Sequence, residues 1–361
     1  MKKNFISLVP LCKIVSKFLL LLLTVVLFFV PKDLRADAPG TRWVYTYEDL
    51  VKASQNPSID TIYITQSENF GWPATPTELT VKARMQLDSP FYIPKNMTLR
   101  VSSGFGYHMP KLVTLAGKMI FETRDTYYGG SNAGNMIIES GGELTIDKSS
   151  HNVDIDHLTV KKGAALNVNS FLYVFEGDVL TLEKGAEINS PGMWSIRVMG
   201  NGIIKSNGAT INGDISASDS DGQKPTNFLE GTLTVDGFSS FTDVSLPSKA
   251  TLNVTRNIDL LSSYADQPAP TFTIENGAVL NLKNYVKVNS GCIKVKKGGI
   301  VNAENLVLQN TMMNDQIQGG SSMILDSGAV LNIERFLRLE SKASIKGHGT
   351  IIAIQNNTAH T

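Results

Sequence analysis

The chain has 361 residues, of which 42% are hydrophobic and 18% are charged, so it carries enough apolar side chains to bury a core and is not an intrinsically disordered chain. Its 33 basic and 33 acidic residues cancel to a formal net charge of +0. This balance gives no electrostatic reason to expect a nucleic acid or an anionic membrane surface as a partner, and we predict no nucleic-acid binding.

Residues 1–36 have the pattern of a secretory signal peptide. Four lysines in the first 17 residues precede an apolar run from Phe18 to Val30, in which Thr24 is the one polar residue. This run is shorter than the about 20 residues that span a bilayer, and small residues follow it, with Ala36 as one candidate cleavage point. An uncleaved signal anchor is the alternative. The pattern predicts a secreted or cell-surface protein that meets a membrane only through this segment.

Residues 41–140 are predicted to form an N-terminal cap and the first turns of a repetitive structure. The segment Tyr47–Ser54 is typical of a short amphipathic helix, with Leu50 and Ala53 on one side. Residues 59–64 then form a predicted strand, and residues 91–101 two strands around a Pro-Lys-Asn turn. A stack of strands exposes apolar side chains and an open edge at its end, so we expect the helix to cover that end.

Residues 141–354 contain a recurring phrase, Gly-Ala-x-Leu-Asn-aliphatic. It stands at residues 163–168, 277–282 and 328–333, and looser copies begin at Gly141, Gly185, Gly208, Lys249, Gly298 and Lys342. The first copies, at 141, 163, 185 and 208, are 22, 22 and 23 residues apart, and later spacings vary. A short period with occasional insertions indicates a solenoid, in which each repeat stacks on the last one.

Strands, and not helices, make up these repeats. Segments such as Leu158–Val160, Phe272–Ile274 and Met323–Leu325 alternate or are β-branched, and each is followed by a short polar step. The elements are too closely spaced for helices. We therefore predict a parallel β-helix of about 12 turns between residues 60 and 354, followed by a polar tail at residues 355–361. Three leucines of the phrase should be buried, namely Leu166, Leu280 and Leu331.

An asparagine recurs at the same place in the phrase. Stacked amides can donate to and accept from each other along a column, so a ladder of asparagines would satisfy its own hydrogen bonds. The alternative is that asparagine is simply a favourable turn residue. The residues are Asn167, Asn189, Asn212, Asn253, Asn281, Asn302 and Asn332.

The order of these motifs resembles the pectate-lyase-like adhesive domains of Gram-positive bacterial surface proteins. The resemblance covers most of the chain after the signal segment and consists of a capping helix, an I-x-I strand, an I-P-x-x-x-x-L-x-V step and then G-A-x-L-N rungs. It implies a right-handed parallel β-helix that acts in adhesion and does not cleave pectin. The chain departs from the full pattern because no L-P-x-T-G signal follows the last rung. The matching residues are Glu48, Leu50, Ala53, Ile62, Ile64, Ile93, Pro94, Leu99 and Val101.

The sequence offers no complete catalytic constellation. Asp154 and Asp156 are expected to share one face of a strand, with Asp178 near them on the next turn, and such a cluster could bind calcium. The simpler interpretation, which we favour, is that these are outward polar residues that alternate with inward Val153 and Ile155. We predict no catalytic residues, no metal and no cofactor.

Binding residues are expected on loops, because loops carry most recognition surfaces. Two insertions contain exposed-looking aromatic residues, namely Phe70 and Trp72 in the first and Tyr127 and Tyr128 in the second. Such rings can stack on sugars or anchor a protein partner. The alternative is that they fold back over the coil and cover strand edges.

These observations predict a secreted or cell-surface adhesion module without catalytic activity, whose partner is a glycan or a host or cell-surface protein. The alternative from another class is a polysaccharide lyase or hydrolase that acts on acidic glycans. Self-association is a further expectation, because Ile351, Ile352 and Ile354 lie in the last turn and no second helix follows to cover it.

Overall fold

A computed structural model describes residues 38–66, 68–103, 105–107, 112–122, 134–148, 153–218, 227–261, 269–313, 316–340 and 342–353. Within these residues the regular structure is almost all β-strand, with one helix, α1 (Tyr47–Gln55). The strands are β1 (Thr41–Val44), β2 (Thr61–Ile64), β3 (Thr77–Val81), β4 (Arg84–Leu87), β5 (Phe91–Ile93), β6 (Met97–Val101), β7 (Phe105–Tyr107), β8 (Leu112–Leu115), β9 (Lys118–Phe121), β10 (Asn135–Ile138), β11 (Glu143–Ile146), β12 (Val153–Asp154), β13 (His157–Val160), β14 (Ala165–Val168), β15 (Leu172–Val174), β16 (Val179–Leu182), β17 (Glu187–Ser190), β18 (Ile196–Met199), β19 (Ile203–Ser218), β20 (Leu229–Ser240), β21 (Val244–Leu246), β22 (Thr251–Leu260), β23 (Thr271–Ile274), β24 (Val279–Asn289), β25 (Cys292–Val295), β26 (Ile300–Met313), β27 (Gln316–Gly320), β28 (Ser322–Leu325), β29 (Val330–Leu339), β30 (Ser344–Gly347) and β31 (Thr350–Ala353).

Consecutive strands wind into a coil in which each turn stacks on the turn before it. Strands β15, β16 and β17 form one such turn, and they pair in parallel with β18 and with two segments of β19 in the next turn. The same parallel pairing repeats through about 12 turns. The prediction of a parallel β-helix is therefore confirmed.

Apolar side chains fill the inside of the coil and stack in columns from turn to turn. Leu144, Leu166 and Ile188 lie side by side in register on three successive turns, and all three are fully buried. The predicted burial of Leu280 and Leu331 is also confirmed, because each is 0% exposed. Period-two alternation thus sends the aliphatic residues inward and their neighbours outward.

The first residue of each phrase stands at a corner with positive φ. Gly163 and Gly277 have φ of 72° and 75°, a region that glycine enters without a steric penalty. Lys249 and Lys342, which begin looser copies of the phrase, have φ of 68° and 65°. The corner geometry is therefore kept even where the glycine is replaced, and these two lysines adopt a conformation that is uncommon for residues with a Cβ.

The asparagine ladder is confirmed, and it consists of two separate stacks. In each stack the side-chain amide of one asparagine donates to the side-chain oxygen of the asparagine one turn earlier. The Nδ2 to Oδ1 distances are 2.9 Å from Asn189 to Asn167, 3.1 Å from Asn212 to Asn189, 2.7 Å from Asn281 to Asn253, 2.8 Å from Asn302 to Asn281 and 2.7 Å from Asn332 to Asn302.

A shift of register separates the two stacks. Asn253 pairs with Thr234, and Thr234 pairs with Thr210 and not with Asn212. The second stack therefore stands in the column of Thr210, two residues away from the column of the first stack. Bulges on both sides of this segment of β19 take up the shift. A shift of two residues keeps every side chain on its own face, so the core continues unbroken.

The N-terminal end begins with the predicted helix. The Thr46 side chain accepts a hydrogen bond from the backbone N–H of Asp49 and so caps α1. Leu50 and Ala53 are buried on the inner side of α1, which packs against β1 and β3. The helix thus lies over the first turns, as the amphipathic pattern predicts.

The last described turn is open to solvent. Ile351 pairs in register with buried Leu331 and so stands at an inward position, yet it is 49% exposed, and Ile352 is 45% exposed. One pairing among the described residues is antiparallel, namely that of β26 with β27. The signal segment at residues 1–36, Ile354 and the tail at residues 355–361 lie outside the described residues.

Candidate functional site

One outward face of the coil carries aromatic and charged side chains in register. Asp154 on β12 pairs with Tyr173 on β15, and Tyr173 pairs with Arg197 on β18. On β15, Leu172 and Val174 are buried in the core, so Tyr173 between them points outward. This face therefore places side chains from three successive turns next to one another.

A row of three aromatic rings crosses this face. Phe171, Tyr173 and Phe175 occupy alternate positions along β15 and its flanks, and all three are half-buried. The rings of Tyr173 and Phe175 are stacked at 9°, with centroids 5.3 Å apart. The Phe171 and Tyr173 centroids lie 6.4 Å apart at 59°. The row presents apolar surface with one hydroxyl group, which is a combination that suits recognition of amphipathic ligands such as sugars.

Arg197 lies on the next turn and is held against the aromatic row. The guanidinium carbon is 4.1 Å from the centroid of Phe171 and 5.5 Å from that of Tyr173, which places the cation over the ring faces. Nη1 donates to the Tyr173 hydroxyl at 3.2 Å, and Nε donates to the Trp194 carbonyl at 3.2 Å. The head group is therefore fixed in position before any ligand arrives.

Trp194 precedes β18 and contacts residues of a later turn. Its Nε1 donates to the hydroxyl of Ser239 at 2.9 Å, and its ring meets that of Phe241 edge-on at a centroid distance of 4.8 Å. Trp194 has a positive φ of 60°, which is an outlier for a bulky residue and is often found at binding sites. We call Phe171, Tyr173, Phe175, Trp194 and Arg197 together the Arg197 patch.

An acidic cluster borders the Arg197 patch on the other side. Asp154, Asp156 and Asp178 bring carboxylate oxygens within 4.8 Å of one another, and the expected proximity of Asp178 is confirmed. The expectation that Asp154 and Asp156 share one face of a strand is wrong. β12 ends at Asp154, and the chain bends at Asp156 before β13 begins, because a corner of the coil falls between them.

Burial raises the pKa of all three carboxyls. Burial, together with the negative charge of Asp178, raises the pKa of Asp154 to about 8, and burial raises the pKa of Asp178 to about 6. Asp178 also accepts the backbone N–H of Phe175 at 2.7 Å, and this contact favours its charged form. At neutral pH, Asp154 therefore keeps a proton and donates it to the Asp178 carboxylate.

The acidic cluster has the right oxygen type for calcium, which takes six to eight oxygen ligands. Three carboxyl groups would supply part of such a shell. The hydrogen bond between Asp154 and Asp178 lets both side chains lie together without an ion. Bound calcium would have to displace the proton that they share.

The aromatic residues singled out in the sequence do not lie at this face. Phe70 is 1% exposed and belongs to the core, so its ring is not available to a ligand as we expected. Its ring packs 4.8 Å from half-buried Trp72, which also contacts Tyr47 and Phe91. This insertion folds back over the coil, which is the alternative named above. Tyr127 and Tyr128 lie outside the described residues.

Two signals in the sequence could have pointed to the Arg197 patch. Residues 171–175 read Phe-Leu-Tyr-Val-Phe, where alternation places three aromatic rings on the face opposite the aliphatic residues. Trp194 follows a Pro-Gly-Met insertion between two rungs. The partner of the aromatic row, Arg197, carries no local signal, because it is one arginine on an outward strand position.

The chain matches no family model, no curated protein and no solved structure. The resemblance to adhesive domains of surface proteins therefore stays a prediction. In the part of the chain that the structure describes, no helix has both the length and the apolar character needed to cross a bilayer.

Proposed function

We propose that the protein is a secreted or cell-surface adhesion module that binds a glycan at the Arg197 patch and does not catalyse a reaction. The observation that carries the proposal is the row of outward aromatic rings with a fixed arginine over it. Sugars have apolar ring faces and polar rims, so they suit a surface that offers aromatic rings and hydrogen-bond donors together.

The position of the patch on strands supports the proposal. Neighbouring turns hold β15 and β18 through parallel pairing, and their inner side chains are buried, so the outward side chains need little ordering when a ligand binds. Successive turns lie roughly 4.8 Å apart, and a linear glycan laid along the coil would therefore meet one outward side chain after another.

The acidic cluster favours one second candidate, a polysaccharide lyase. Asp154 lies in register beside Tyr173, so carboxylates and an arginine share one face of the coil. We favour binding over cleavage because arginine stays protonated, which makes Arg197 a cation for binding and not a proton acceptor. Release of unsaturated products from pectate or another uronan, lost on Asp156→Ala, would support the lyase.

A glycan array with the purified protein, followed by titration of the ligands found, tests the binding proposal. Tyr173→Ala should weaken binding by at least about 1 kcal/mol if the ring is part of the contact. The matched control is Tyr92→Ala, because Tyr92 is also an outward strand residue and is 44% exposed far from the patch. Equal affinities for the two variants would contradict the proposed site, and capture of proteins but no glycan would contradict the ligand class.

A further inference from the structure

Arg197 differs from the other arginines of the described residues in its surroundings. It is half-buried, and it takes part in no ion pair among those residues. Arg100, which is also half-buried, has acidic partners, and Arg84 and Arg335, for which no ion pair is seen among the described residues, are exposed to water. The paired ones are Arg100 with Glu78 and Glu122, Arg256 with Asp214 and Asp236, and Arg338 with Glu340.

The hydrogen bonds of Arg197 leave part of its head group unused. A guanidinium has five N–H donors, and among the described residues only Nε and one Nη1 donor of Arg197 have partners, namely the Trp194 carbonyl and the Tyr173 hydroxyl. Removing a cation from water without a counter-charge is unfavourable, and the aromatic rings compensate only in part. The remaining donors lie in the planar arrangement that matches a carboxylate or sulfate group.

We infer that Arg197 is the binding residue for an acid group of the ligand, so that the glycan of the proposed function is an anionic one. The acid group is a sugar carboxylate or a sulfate, since both match the planar donors of Arg197. The sugar ring then packs against the aromatic row beside Tyr173 and Phe175. This inference rests on the proposed function and narrows its ligand class.

The acidic cluster does not prevent such an interaction. Asp154 lies two turns from Arg197, which corresponds to roughly 10 Å along the coil. This distance is comparable with the length over which salt screens charges at physiological ionic strength. The hydrogen bond between Asp154 and Asp178 also removes one negative charge from the cluster. A ligand acid group at Arg197 therefore lies next to a cation, whereas the partly neutralised cluster is two turns away.

The experiment compares three sets of oligosaccharides of equal length, which carry uronate groups, sulfate groups or no charge. Calorimetric titration of the whole protein should give at least about tenfold tighter binding for one of the anionic sets than for the neutral set. Arg197→Gln should remove most of that preference, and Arg197→Lys should restore only part of it, because lysine keeps the charge but not the planar donors. The matched control, Arg256→Gln, removes an arginine that is already ion-paired with Asp214 and should leave the affinities unchanged.

The outcomes separate this inference from the proposed function. Neutral glycans that bind as tightly as anionic ones and depend on Tyr173 would overturn the inference and leave the function standing. Absence of any glycan binding would overturn both. If Arg197→Gln melts at a lower temperature than the unsubstituted protein, the variant is no longer a clean test. The inference is then tested by the salt dependence of glycan affinity in the unsubstituted protein. Affinity for the anionic set should then fall as salt rises, and a salt-independent affinity would overturn the inference.

Discussion

Leu280→Ala should destabilise the protein by about 2–5 kcal/mol. Leu280 is 0% exposed and lies in register between Leu252 and Val301 on the neighbouring turns. The substitution removes roughly three buried carbon groups, which corresponds to about 2 kcal/mol of transfer free energy. The closely packed neighbours above and below cannot fill the space, so a cavity contribution adds to this value.

Ile351→Ala is the matched control for this prediction. Ile351 belongs to the same inward column two turns beyond Val301, but it is 49% exposed because no described turn covers it. About half of the transfer free energy should be lost, near 1 kcal/mol, and no closed cavity forms. Urea unfolding followed by circular dichroism, with unchanged m values, measures both. Equal losses for the two variants, or a loss under about 1 kcal/mol for Leu280→Ala, would refute the stacked-core assignment.

Three further predictions concern the ladder, the acidic cluster and the open end. Asn302→Ala should cost about 1–3 kcal/mol in urea unfolding because it leaves amide groups unpaired on both sides. Asn212 is exposed at the end of its stack, so Asn212→Ala should cost less in the same assay. The folded-state pKa of Asp154 is about 8, above its unfolded value, so the folded protein binds more protons and its stability should fall as pH rises from about 4 to 8. Asp154→Asn should flatten the melting temperature across this window, and an unchanged slope would contradict the assignment. Self-association at the C-terminal end predicts a mass in light scattering that grows with concentration and is reduced by Ile351→Lys, because Ile351 is about half exposed.

The acidic cluster and the Arg197 patch lie on one face of the coil, so the charge of the cluster should affect ligand binding at the patch. Asp154 and Arg197 flank Tyr173 in register, so a ligand that covers the ring approaches both groups. Deprotonation of Asp154 adds negative charge beside the patch. An anionic ligand should therefore bind less tightly at pH 9 than at pH 6, and Asp154→Asn should remove most of this difference.

The repeated phrase was sufficient to predict the architecture. Alternation in segments such as residues 163–168 decides which side chains face inward, and a glycine at each corner decides where the chain turns. Because every turn repeats the same local pattern, the stacking of Leu166 on its equivalents follows from the sequence. The asparagine ladder could be expected for the same reason, because amides at one position of neighbouring turns meet wherever the register is kept.

The register shift could not be read from the phrase. Asn212 and Asn253 stand at the same place in their copies, yet they lie in different columns because the chain bulges on both sides of Ile211. A two-residue shift leaves the alternation of buried and exposed positions unchanged. The sequence pattern is therefore identical before and after the shift, and only the pairing of strands distinguishes the two cases.

The sequence by itself determined the local properties of this protein: strands, corners, buried columns and the capping helix. The tertiary structure alone decided which distant residues meet on its outer face. Arg197 and Tyr173 are 24 residues apart and Trp194 and Ser239 are 45 apart, and their contacts depend on how many residues each turn contains. Phe70, in contrast, lies in an insertion that looked exposed and is buried, because its ring reaches back to the core. Inward positions follow from period-two alternation, whereas outward neighbours follow from turn lengths and bulges that leave no local signal.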